Sequence, residues 1–397
     1  MTESIKYLSF LDAYYDESED RLWVSNWAFN GLFTVDLKSY KVKYIGRFEN
    51  EEIWKGNLHR RVIRYNNTLF FIPYNAKGIN SYDLTTGKFG YIPVFSDNRT
   101  VRVADVVIKE NQLLMFPGYN YQPLLILNMD TSEVISKPEW NKRAEECSCG
   151  PYGVMFDLAG ICQAGNKIYM APFSSNNIIE YDTDTDNIKS FSIDSKYHIR
   201  NITYTDNTFW ITLTDSMDVL QWDNVRNSIE VYKNNDTYAK VLYPYTIAFS
   251  HKNDVFVLPS SSEYICKVDM ITKTLRALKN YPNDFRRIRK DYLLLHGYLI
   301  KDDKIYLFPR AANQLLIMDL NTYELTGHEL RIPESCSIFL NFENIADENN
   351  TIYENMEAMR TLDFYIDMIS GNDYKEIIKK EADSGNKILN YILKTLS

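Results

Sequence analysis

The chain has 397 residues, 45% of them hydrophobic and 24% charged, with a formal net charge of −9. Aromatic residues reach 14%, against only 15 Gly and 12 Pro. This composition excludes disordered, collagen-like and small disulfide-stapled classes, and the acidic balance speaks against a general binder of nucleic-acid backbones.

Residues 1–20 carry no basic segment followed by a long apolar run, and they turn acidic early, so no secretory signal is expected. No apolar stretch reaches the roughly 18–20 residues that cross a bilayer. The five cysteines, Cys147, Cys149, Cys162, Cys266 and Cys336, are sparse and odd in number. They suit a reducing compartment better than a disulfide framework, and a cytoplasmic protein without a membrane span is the expectation.

From residue 21 onward one unit recurs. It consists of a polar turn, a short apolar strand, a few small or polar residues, a second strand ending in a hydrophobe–Asp pair, a turn and a third strand. Copies begin at Arg21, Asn67, Asn111, Asn166, Asn207, Asn253 and Asp303. Their anchors fall on Asp36, Asp83, Asn128, Asp182, Asp223, Asp269 and Asp319, at spacings of 47, 45, 54, 41, 46 and 50 residues. An Asp or Asn at a chain reversal can accept a hydrogen bond from a backbone N–H two residues on, so the anchors are expected to be structural. Pro73, Pro117, Pro172, Pro259 and Pro309 close the first strand of five copies, where the missing donor stops sheet pairing; Asn26 and Leu213 stand there in the other two. A further apolar strand precedes each copy, as at residues 61–65, 105–108, 246–249 and 298–300. Four strands with short links must pair antiparallel, because parallel pairing needs long crossovers.

Seven four-stranded repeats of this length resemble the β-propeller superfamily, and the blades look like those of bacterial kelch-like and six- or seven-bladed proteins. The Gly-Gly pair of true kelch repeats, the Gly-His and Trp-Asp marks of the WD type and the sialidase Asp-box are absent. The resemblance spans residues 5–331. It implies an all-β protein, a seven-bladed β-propeller of four-stranded antiparallel blades, with aromatic residues buried between neighbouring blades. The propeller domain is expected at residues 1–335. Residues 7–14 read as the innermost strand of the first blade, with no exchange of strands between the termini.

Two inserts and a tail stand outside the repeat. Residues 142–152 read as a projecting loop, whose Cys147 and Cys149 have too few neighbouring ligand residues for a metal site. Residues 285–290, Phe-Arg-Arg-Ile-Arg-Lys, read as a solvated loop or as a patch for an anion or acidic partner. Residues 336–397 read as a mostly helical extension: Met356, Met359, Leu362, Tyr365, Ile366 and Ile369 recur at helical spacing, and Asn386 starts a second helix. The extension reads as a helical cap packed against the propeller's rim or, because its apolar stripe must be covered, as a docking surface for a protein partner.

In propellers, the starts of the innermost strands and the turns after the second strands ring one mouth of the central channel. Carried onto this chain, the resemblance places His59, Arg60, Arg102, Asp105, Asp157, His198, Arg200, Tyr243, Tyr245 and His296 at strand starts. It places Asn26, Trp27, Tyr74, Asn75, Tyr119, Asn120, Phe173 and Arg310 in the turns. Arg, His and aromatic groups in such a mouth suit an anionic, carbohydrate-like or peptide ligand. No nucleophile elbow, phosphate-cradling Gly loop or metalloprotease motif occurs, and no cofactor is implied. The expectation is a non-enzymatic ligand-binding or scaffold propeller. The alternative is a lyase or hydrolase acting on a glycan or modified peptide, with His198 or His296 as general base near Asp105 or Asp157.

Overall fold

The seven anchors close seven hairpins by one device. In a computed structural model, which describes residues 6–52, 55–118, 122–146, 158–173, 175–235, 242–289, 293–333 and 336, each anchor side chain accepts hydrogen bonds from the N–H groups two and three residues on. Asp83 Oδ1 takes them from Thr85 at 2.9 Å and Thr86 at 2.7 Å, Asp319 Oδ1 from Asn321 and Thr322 at 2.9 Å, and Asn128 Oδ1 from Asp130 and Thr131. The residue four after each anchor is left-handed: Tyr40, Gly87, Ser132, Asp186, Asn227, Lys273 and Tyr323 have φ between 49° and 70°. Only Gly87 meets that demand without a steric cost; at the other six the side-chain clamp holds a conformation that L-residues disfavour.

Among the described residues these hairpins belong to 28 strands, accompanied by one helix. Twenty strands form five four-stranded antiparallel sheets. The other eight form one sheet, in which two antiparallel four-stranded halves, residues 199–234 and 245–278, meet at their outer strands through a short parallel pairing of Lys233 with Thr274 and Asn234 with Leu275. In each four-stranded unit the first strand in sequence is innermost, and these inner strands touch one another in succession. The fold is an all-β propeller with four-stranded antiparallel blades, and residues 7–332 make up one compact unit.

The apolar residues pack between neighbouring sheets. Tyr169, Phe209 and Trp222 interlock with ring centroids 4.5–5.9 Å apart, and Phe48, Phe71 and Phe89 do so between the first two sheets. Aromatic pairs at such spacing add to the burial of their large surfaces, which gives the 14% aromatic content a structural role.

Two expectations are corrected. The insert is not a loop from residue 142: Pro138–Glu146 is a helix whose Trp140 and Ala144 are buried against Phe116 and Tyr181. The N-terminal segment is not an inner strand, since only Tyr14–Asp16 pairs with the rest of the first sheet. Residues 7–10 instead run beside the last sheet, where Leu8 N–H donates to Leu330 O at 2.8 Å and Phe10 N–H to Pro309 O at 3.0 Å. Tyr7 bridges Arg331, and Ser9 O accepts from Trp27 N–H at 2.7 Å, so this segment joins the last sheet to the first. Residues 337–397, where helices are expected, lie outside the described residues, as do Cys147 and Cys149.

Candidate functional site

Six of the innermost strands carry the same irregularity. His59 pairs with Pro73 and Arg61 with Ile72, leaving Arg60 as an extra residue; Arg200 is left over in the same way between Ile199 and Asn201. The register also shifts at Ala104, at Thr246–Ile247 and at His296–Gly297, and in the fourth sheet between Leu158 and Gly160. In five of these six strands the residue opposite the start of the bulge is the repeat proline, which has no N–H for the ladder. A bulge turns its extra residue out of the regular alternation and re-aims the side chain.

The re-aimed residues converge. Arg60, Ala104, Arg200, Thr246 and His296 line one cavity of about 290 Å3, together with Arg102, Arg310, Tyr74, Phe173, Tyr243, Gly118, Leu158, Asn201 and Leu293. Four arginines therefore line one space, and no Asp or Glu is among the described residues that line it.

Aromatic rings hold the arginines. Arg102 lies 4.3 Å from the Tyr74 ring centroid and donates from Nη2 to Tyr74 Oη at 2.6 Å, and Arg60 lies 5.9 Å from the same ring. Arg310, only 9% exposed, sits 3.8 Å from the Trp27 ring, which packs 5.4 Å from Tyr74. These three form a cluster on one wall. Arg200 is held apart from it, 5.3 Å from both Phe173 and Tyr243. Gly118 leaves room for this packing, because a Cβ there would approach Arg102 Cγ to 2.8 Å. Arg60 Nε is buried without a hydrogen-bond partner.

His296 registers the charge of the cavity. Burial, followed by the charges of Arg60, Arg310 and Arg61, holds its pKa well below 6.5, so the ring is neutral at pH 7. Its Nδ1–H donates to Leu11 O at 3.2 Å, which leaves the lone pair on Nε2.

The other residues singled out from the sequence sit elsewhere. Asp105 is taken up by Arg61, which grips it with Nε and Nη2 at 2.7 and 2.9 Å and reaches Asp12 at 3.5 Å. Burial would raise the Asp105 pKa, but the Arg61 charge and hydrogen bonds outweigh it and hold it below the usual carboxylate value. His59 is buried between sheets: Asn80 Nδ2 donates to its Nε2 at 2.9 Å, and its Nδ1–H donates to Ser25 Oγ at 2.7 Å. Burial lowers the His59 pKa to about 3. Tyr245 is fully buried, with its hydroxyl 2.7 Å from Asn234 Nδ2 and 3.3 Å from Cys266 Sγ. His198 donates from Nδ1 to Asp215 Oδ2 at 2.7 Å and is not part of the cavity lining. Tyr119, Asn120 and Asp157 lie outside the described residues.

The sequence reading missed Ala104, Gly118, Leu158, Asn201, Thr246 and Leu293. Thr246 was legible in principle, since it follows Tyr245 at the bulge opposite Pro259.

No family model matches the chain, and no curated protein matches it. Its likeness is to solved structures. A streptogramin B lyase superposes with a TM-score of 0.55 at 14% identity, over 78% of this chain and 94% of the other. Virginiamycin B lyase from Staphylococcus aureus gives 0.54 at 10%, over 78% and 95%. The extracellular domain of a hybrid two-component system protein from B. thetaiotaomicron gives 0.54 at 12%, over 83% of this chain and 41% of that one. Likeness at such low identity shows the fold, a β-propeller, and leaves function to the site.

Proposed function

We propose that the protein is a non-enzymatic, seven-bladed propeller that binds an anionic ligand in the arginine-lined cavity. In this reading the eight-stranded sheet counts as two blades joined at their outer edges. The observation that carries the function is the convergence of Arg60, Arg102, Arg200 and Arg310 on a cavity with no carboxylate in its described lining. Guanidinium forks match carboxylate and phosphate oxygens bidentately. The depressed pKa of His296, caused first by burial and then by the charges of Arg60, Arg310 and Arg61, is in keeping with a positive potential there. A carbohydrate is the weaker candidate, because Arg102 and Arg310 already occupy faces of Tyr74 and Trp27 that a sugar would stack on.

The lyase or hydrolase alternative has one observation in its favour, the lone pair on His296 Nε2 in a cavity-lining ring. Against it, the proton affinity of that ring is depressed and Asp105 is committed to Arg61, so His296 is better suited to accept a hydrogen bond from a ligand. Calorimetric titration of the full-length protein with glutarate, citrate and inorganic phosphate at low ionic strength tests the proposal. At least one should bind one-to-one, with affinity falling about tenfold or more, equivalent to about 1.4 kcal/mol, in Arg102→Ala and Arg310→Ala. Absence of binding by all three, or unchanged affinity in both variants, overturns it.

A further inference from the structure

The cavity wall continues outward into a basic loop. Residues 282–289 connect the eight-stranded sheet to the last sheet and are clamped to the turn that follows Arg310. Arg286 N–H donates to Asn313 Oδ1 at 2.9 Å, Asn313 Nδ2 donates to Asp284 O at 2.9 Å, and Ile288 N–H donates to Ala311 O at 2.8 Å. Asn313 is 1% exposed, so the clamp is buried and the loop is a built feature. Phe285 stacks on Tyr281 with ring centroids 4.8 Å apart.

Arg287 ties this loop to the cavity. Its Nη2 donates to Ser260 O at 2.8 Å, and the same carbonyl accepts from Leu294 N–H at 3.2 Å. Leu294 O in turn accepts from Arg310 N–H at 3.2 Å, while Leu293 and Arg310 both line the cavity. The Arg287 head is thus one shared carbonyl away from the backbone of the cavity wall, on the side of the three-arginine cluster. Arg286 and Arg287 are exposed and Arg289 is half-buried. By sequence, residues 282–289 include three arginines and one acidic residue, Asp284, in a chain whose net charge is −9.

Resting on the anion-binding reading above, we propose that cavity and loop form one continuous track for an acidic polypeptide segment, a run of Asp or Glu side chains. One carboxylate enters the cavity, and those that follow meet Arg287, Arg286 and Arg289 at the rim. An extended peptide advances about 3.3–3.6 Å per residue, so each added acidic residue extends its reach from the cavity toward the loop by that much. A single-stranded nucleic acid fits the track less well, because its binding sites offer open aromatic faces for bases, and Tyr74 and Trp27 carry arginines instead.

Fluorescence anisotropy of the full-length protein with labelled di-, tetra- and octaglutamate at low ionic strength tests this. Affinity should rise with length, by about tenfold or more from two residues to eight, equivalent to about 1.4 kcal/mol. The combined Arg286→Gln, Arg287→Gln and Arg289→Gln variant should lose that gain while still binding glutarate. Because the length series uses the unaltered protein, it decides the matter even if the variant fails to fold. Equal affinity for the di- and octapeptide, a length gain that survives in the variant, or binding of polyphosphate or an oligonucleotide but not octaglutamate overturns the proposal. If glutarate also fails to bind, the anion site itself is refuted; if glutarate binds and length adds nothing, only the track is.

Discussion

Replacing Arg60 by Met separates a ligand cradle from a scaffold. Arg60 is the extra residue of its bulge, its Nε is buried with no partner, and its guanidinium is 5.9 Å from Tyr74, near the outer limit of a cation–π contact. An unsatisfied buried donor costs about 1–3 kcal/mol, and the long cation–π contact returns about 0.5 kcal/mol. Arg60 also attracts Asp105, but Arg61 already holds that carboxylate in a two-pronged grip. Met keeps much of the aliphatic stem. The variant should therefore be as stable as the parent or more stable, by up to about 2 kcal/mol, a gain of a few degrees in Tm for a domain this large. Ligand binding should move the other way. Loss of one charge-assisted hydrogen bond, worth about 1.5–3 kcal/mol, weakens binding of the anion by roughly 10- to 150-fold. Urea denaturation and calorimetric titration on the same preparation read both quantities. A variant destabilised by more than about 1 kcal/mol with undiminished anion binding would refute the cradle and make the arginines wall scaffolding.

Two further outcomes concern the frame of the site. Asp105→Asn leaves Arg61 with only the longer contact to Asp12, and should cost about 2–3 kcal/mol in urea denaturation; the low end of the range for a broken ion pair applies because the Arg61 side chain keeps 33% of its surface exposed. His59 gives a pH signature. Its folded-state pKa of about 3 lies below the ordinary 6.5, so the unfolded chain takes up a proton there that the folded protein refuses. Stability should fall as pH drops from 6.5 toward 3, by about 1.4 kcal/mol per unit from this group. The stability difference between the parent and His59→Gln should show that slope, and a pH-independent difference between pH 6.5 and 4.5 contradicts the assignment.

How much of this was legible in the sequence is clearest at neighbouring residues. His59 and Arg60 both stand at a strand start, as do Tyr245 and Thr246, and the repeat marks all four positions. A strand sends successive side chains to opposite faces, so only one of each pair can reach the channel. The structure sends Arg60 and Thr246 inward and buries His59 and Tyr245 between sheets, and it draws Trp27, Tyr74, Phe173 and Tyr243 up against the arginines. Asp105 gave no sign in the sequence that Arg61, 44 residues earlier, would claim it.

The chain's own residue order determined the repeating unit, because its Asp and Asn anchors and its prolines act on backbone within a few residues of themselves. Those local devices dictate where each hairpin turns and where pairing must slip beside a proline. Only the tertiary structure decided which side chains share a cavity. That depends on bulge geometry, on which face of each inner strand meets its neighbour, and on contacts between residues far apart in sequence. Arg60, Arg102, Arg200 and Arg310 come from separate repeats, and an acidic chain of net charge −9 gathers them at one point only by closing its sheets around a common centre.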